Sequence, residues 1–153
     1  MLQAQYYRDT SQLSVYLSSN HFLTSINNEI PDSRNHTYAQ NLASLSNLVL
    51  VLFTQDKTVV PKESAWFGSY APVEDKALSA PTLVPMKLQP LYLEDWIGLK
   101  QLDGAGRVTL LSCDGEHMQL ARECWEPIVK RYLATSKTKD ESRTSSGLLV
   151  QTS

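Results

Sequence analysis

Six consecutive apolar residues, Leu48-Val49-Leu50-Val51-Leu52-Phe53, constrain this chain more than any other feature. An apolar run without alternation suits a strand covered on both faces, the habit of parallel sheets flanked by helices. It is far too short for a membrane-crossing helix, which needs about 20 apolar residues, so no transmembrane segment is expected. Residues 107–112, Arg-Val-Thr-Leu-Leu-Ser, form the second strand-like stretch. Two strands cannot cover their own faces. The pattern therefore predicts an α/β fold in which these residues are part of a larger parallel sheet with flanking helices.

Around the strands, Leu13, Tyr16, Leu17, Phe22, Leu23 and Ile26 fall near helical spacing, predicting one or two short helices. Residues 28–35, with Pro31 and Asp32, read as a loop, and residues 37–46 as a helix with Leu42 and Leu45 on one face. The aromatic cluster Trp66-Phe67-Gly68-Ser69-Tyr70 is expected in irregular backbone. Pro72, Pro81, Pro85 and Pro90 make residues 71–90 a long excursion or irregular hairpin, because proline lacks an N–H and fixes φ.

Asp95 is the expected N-cap of a helix through Trp96, Ile97, Leu99 and Leu102, ended by Gly104 or Gly106. A last apolar stripe, Leu120, Ala121, Cys124, Trp125, Ile128, Val129 and Tyr132, predicts a helix with a kink or restart at Pro127. The expected organisation is one domain over residues 1–133, followed by a disordered polar tail over 134–153.

Charge and cysteine content narrow the function. Fourteen Lys and Arg against sixteen Asp and Glu, with no basic cluster, leave no footprint for nucleic acid. The N-terminus lacks the basic start and apolar core of a signal peptide. Cys113 and Cys124 are too few for a disulfide scaffold, and they share no ligand spacing with His21, His36 and His117, so neither metal nor cofactor is expected. Asn35-His36-Thr37 fits the N-glycosylation acceptor in a polar, exposed stretch.

Asp56 follows the first strand after a short turn, and His117 follows the second in the same way. Open α/β sheets hold their ligands at the carboxyl ends of strands. In α/β-hydrolases the triad runs Ser, then Asp or Glu, then His. Asp56 and His117 fit its last two members, but an Asp after a strand is also an ordinary turn former, and both readings stand at this level. The sequence holds no Gly-x-Ser-x-Gly nucleophile turn, and Cys113 reads as a small buried hydrophobe rather than a nucleophile.

Several separated stretches resemble the lysosomal palmitoyl-protein thioesterases. Residues 50–68, LVLFTQDKTVVPKESAWFG, are similar to that family's acid-bearing segment. Residues 91–108, LYLEDWIGLKQLDGAGRV, are similar to the segment before its last strand, and residues 114–120, DGEHMQL, to its histidine loop. Residues 3–9, QAQYYRD, also fit, and the wording of the acid loop is closer to the first animal paralogue than to the second.

The resemblance covers residues 3–133 and implies the C-terminal portion of an α/β-hydrolase. It implies that Asp56 is the triad acid and His117 its base, acting on palmitoylated proteins, peptides or palmitoyl thioesters. It implies that Thr58, Val59 and Pro61 lie along the fatty-acyl groove, that Asn35 carries a glycan, and that the protein reaches the lysosome, a vacuole or the secretory route. The family's nucleophile turn, oxyanion-hole donors, signal peptide and disulfides all belong upstream of anything in this sequence. The expectation is a catalytically incomplete chain, inactive alone. The alternatives are a short non-catalytic product that acts by binding, and a portion of another lipase- or esterase-type hydrolase.

Overall fold

The computed structural model describes residues 5–72 and 81–133. The expected tail, 134–153, lies outside the described residues, as do residues 73–80 of the proline-rich excursion. The chain divides into two units, residues 1–121 and 122–153.

In the first unit, helices α1 (Leu13–Ser19), α2 (Leu23–Ile26) and α3 (His36–Ala43) precede strand β1 (Leu48–Phe53). Asn35 starts α3 by accepting a hydrogen bond from the Thr37 N–H at 2.9 Å, the usual N-cap arrangement. A 3-10 turn over Lys62–Trp66 leads to a two-residue hairpin, β2 (Ser69–Tyr70) against β3 (Leu83–Val84), so the expected irregular hairpin is present at its described ends. Helices α4 (Pro90–Leu93) and α5 (Leu99–Gly104) follow, then strand β4 (Val108–Cys113).

β1 and β4 lie side by side and parallel, from Leu48 opposite Val108 to Phe53 opposite Cys113. The Trp66 indole N–H reaches across both, donating to the Leu111 carbonyl at 3.0 Å and the Leu50 carbonyl at 3.3 Å. The pair is only partly covered, as two strands by themselves must be. Within the pair only Leu52 and Cys113 are buried, because each strand has a single neighbour among the described residues.

The core gathers at the starting ends of the strands. Met86, Ile97 and Leu99 are buried there, with Leu48 of β1, Val108 of β4 and Leu42 of α3 packed against them.

The Asp95 expectation is also corrected. The helix begins at Leu99, after Gly98 at φ +79°, and Asp95 itself has φ +53°. Gly98 is required twice over, since a Cβ there would fall 2.2 Å from the Ala39 carbonyl oxygen of α3. Asp95 nevertheless satisfies the helix start from a distance, accepting from the N–H groups of Lys100 at 2.9 Å and Gln101 at 3.2 Å.

The second unit contributes α6 (Arg122–Tyr132), which runs unbroken through Pro127 instead of restarting there. Glu126 pairs with Arg122 at 2.9 Å and with Lys130 at 2.7 Å, each four residues away along the helix.

Candidate active site

The two strand ends carry loops that run on together. Beyond the last paired residues, the Thr54 N–H donates to the Cys113 carbonyl at 2.9 Å and the Gln55 N–H to the Gly115 carbonyl at 3.0 Å. The parallel pairing therefore extends into both loops before they separate. Asp56 comes next on one loop and His117 shortly after on the other.

Their side chains meet: His117 Nδ1 lies 2.8 Å from Asp56 Oδ2. The other carboxylate oxygen, Oδ1, accepts the N–H groups of Thr58 at 2.8 Å and Val59 at 3.0 Å. The His117 hydrogen bond, helped by these two backbone donors, holds the Asp56 carboxyl below the usual carboxylate range against the cost of desolvation. An ionised carboxylate can only accept, so Nδ1 carries the ring proton and the neutral imidazole presents Nε2 as a lone-pair base. The side chain of Asp56 is 8% exposed and that of His117 39%, so the carboxylate is enclosed while the imidazole reaches solvent.

Thr58, Val59 and Pro61 line a cavity of about 520 Å³, within the roughly 300–1,000 Å³ typical of small-ligand sites. Its walls also include Leu23, Val60, Phe67, Leu91 and Trp96, and a polar side formed by Arg8, Asn27, Glu29 and Gln89. Thr58 and Val59 thus face two ways in function: their amides hold Asp56, and they form part of the cavity wall. The polar wall carried no sequence signal, since Arg8 and Glu29 stand in unrelated stretches with no characteristic spacing.

Arg8 Nε pairs with Glu29 at 2.9 Å, the Tyr16 hydroxyl donates to Glu29 at 2.6 Å, and an Arg8 N–H donates to the Ser69 hydroxyl at 3.2 Å. Burial, then the Glu29 carboxylate, raises the Tyr16 phenol above its ordinary pKa.

Asn35 is exposed, with its side-chain oxygen engaged in capping α3. Neither cysteine is a free thiol: both are disulfide-bonded. Cys113 is buried, as expected of a small hydrophobe, and is disulfide-bonded as well.

Residues 1–117 match the family model described as palmitoyl protein thioesterase. The chain is 45% identical to palmitoyl-protein thioesterase 1 of Caenorhabditis elegans over 133 residues, which cover 86% of this chain and 42% of that protein. It is 42% identical to palmitoyl-protein thioesterase 3 of Dictyostelium discoideum over 69% of this chain and 34% of that protein. It is 36% identical to lysosomal thioesterase PPT2-B of Xenopus laevis over 72% of this chain and 36% of that protein. The matches thus span about two fifths or less of the length of these relatives.

Proposed function

This chain belongs to the palmitoyl protein thioesterase family, and we propose that it supplies the acid and the base of a thioester hydrolase acting on palmitoylated cysteine. The observation that carries this reading is the 2.8 Å hydrogen bond between Asp56 and His117 at the carboxyl ends of adjacent parallel strands. The nucleophile in this reading is a serine outside these 153 residues, because no Gly-x-Ser-x-Gly turn occurs among them. The strands that would cover β1 and β4 belong with it.

In the reaction, the serine hydroxyl attacks the thioester carbonyl as His117 Nε2 takes its proton. Asp56 holds the imidazole in the required tautomer and stabilises the imidazolium. The proton then passes to the leaving cysteine sulfur, and water, activated by the same imidazole, hydrolyses the acyl-enzyme. The cavity beside Thr58, Val59 and Pro61 takes the fatty-acyl chain, each buried methylene contributing about 0.8 kcal/mol.

The exposure of Asn35 supports a glycan there, and the names of relatives such as the lysosomal thioesterase of Xenopus laevis support a lysosomal location.

The test is hydrolysis of palmitoyl-CoA by the 153-residue chain and by a form extended with its upstream coding sequence. The chain alone should show no turnover. The extended form should be active, with kcat reduced about 10⁴- to 10⁶-fold by His117→Ala. Turnover by the short chain that His117→Ala abolishes would place a nucleophile within these residues. An extended enzyme indifferent to His117→Ala would remove His117 from the chemistry.

A further inference from the structure

We propose that Asp114 is a positioning residue that sets the Asp56–His117 hydrogen bond by clamping the loop before Asp56 to the loop before His117. The inference rests on the reading of that pair as acid and base, and it concerns what fixes their separation.

Asp114 lies between Cys113 and Gly115, the two residues whose carbonyls receive the Thr54 and Gln55 N–H groups. Its Oδ1 also accepts the Thr54 hydroxyl at 2.6 Å and the Gln55 side-chain amide at 3.2 Å. Four hydrogen bonds therefore join two residues of one loop to three of the other, and both side-chain bonds end on one oxygen. From the far side, Lys62 Nζ donates to the Thr54 carbonyl at 2.7 Å, so Thr54 is held from two directions.

The next residue on this clamped segment is Asp56. On the opposite loop, Gly115 at φ +129° turns the chain toward His117, and the Gln119 side chain accepts the Glu116 N–H at 3.1 Å. The lever arms from the clamp to the two reacting side chains are one residue and three residues long. A shift of about 1 Å at the clamp would carry the imidazole out of hydrogen-bond range of the carboxylate.

The Thr54 hydroxyl, then the Gln55 amide, hold the Asp114 carboxyl below the usual carboxylate range, so near neutral pH it is a charged acceptor.

Charge and position can be separated by sign. Deleting a nearby negative charge favours the ionised form of Asp56 and lowers its titration midpoint. Losing the His117 hydrogen bond raises that midpoint. NMR on the form extended with its upstream coding sequence, through the Asp56 carboxyl titration and the His117 Nδ1–H resonance, reads both without needing turnover.

Asp114→Ala should raise the Asp56 midpoint by about 0.5–1 unit and expose Nδ1–H to fast exchange. Asp114→Asn keeps a side-chain oxygen to accept both bonds, and should leave Nδ1–H protected with the midpoint unchanged or lower. Thr54→Val, which leaves the Asp114 charge in place, should act in the direction of Asp114→Ala.

An Asp56 midpoint that falls or stays put in both Asp114→Ala and Thr54→Val would overturn the proposal. So would an Asp114→Asn that behaves like Asp114→Ala. If both disruptive variants unfold outright, Asp114 is framework and the positioning role is likewise refuted. None of these results bears on whether His117 is the base, which the hydrolysis assay decides by itself.

Discussion

Glu29 and Asp56 are both carboxylates with nearly enclosed side chains, 3% and 8% exposed, yet they are built for different purposes. Glu29 is saturated by the Arg8 guanidinium, the Tyr16 hydroxyl and, at 3.4 Å, the Asn27 amide. Asp56 gives one oxygen to two backbone N–H groups and its other to an imidazole that reaches solvent. In the first cluster none of the donors gives up its proton near neutral pH. In the second, one partner can gain a proton at its outer nitrogen while staying hydrogen-bonded at its inner one. Burial of a carboxylate is therefore no mark of a reactive site; the partner decides.

The sharpest way to break this contrast is Glu29→Ala. It strands a half-buried guanidinium and the buried Tyr16 hydroxyl without their acceptor, and should lower the unfolding free energy by about 2–3 kcal/mol in urea titrations. A loss below about 0.5 kcal/mol would show that Glu29 is not a structural lock.

Tyr16→Phe removes one of the Glu29 donors and should lower stability by about 1 kcal/mol. In the unmodified protein Tyr16 should stay protonated through the alkaline range where free tyrosine, near pH 10, ionises. Ultraviolet phenolate absorbance would follow it.

Asp56→Asn should have the smallest effect on stability and a distinctive pH signature. Asp56 titrates lower when folded than when unfolded, so its contribution is complete above the unfolded value of about 3.9. It disappears as the pH falls through the folded value. The substitution should remove that contribution near neutrality, a smaller loss than for Glu29→Ala or Tyr16→Phe, and flatten the acid limb so that the two proteins converge at low pH. An unaltered acid limb would mean that the Asp56–His117 bond adds nothing to the folded state.

The sequence made one of these clusters legible and hid the other. Asp56 and His117 each follow a strand within a few residues, β1 announced by an uninterrupted apolar run and β4 by a short Val-Thr-Leu-Leu stretch. Strand position alone therefore placed both residues at one end of a sheet. Arg8, Tyr16 and Glu29 come together from positions 21 and 13 residues apart in sequence, and no local periodicity records that. The start of α5 was misread for a related reason. Asp95 does serve the helix N–H groups, but across a reversal at Gly98 that depends on how closely α3 approaches.

Trp66 gives the molecule an optical gauge of its own. Its indole N–H is shared between a carbonyl of β1 and a carbonyl of β4, so the ring's emission depends on both strands being in place. With Trp96 and Trp125 replaced by phenylalanine, the remaining fluorescence would come from the seam between the strands that carry Asp56 and His117. The integrity of that seam could then be followed in real time, with no label and no substrate.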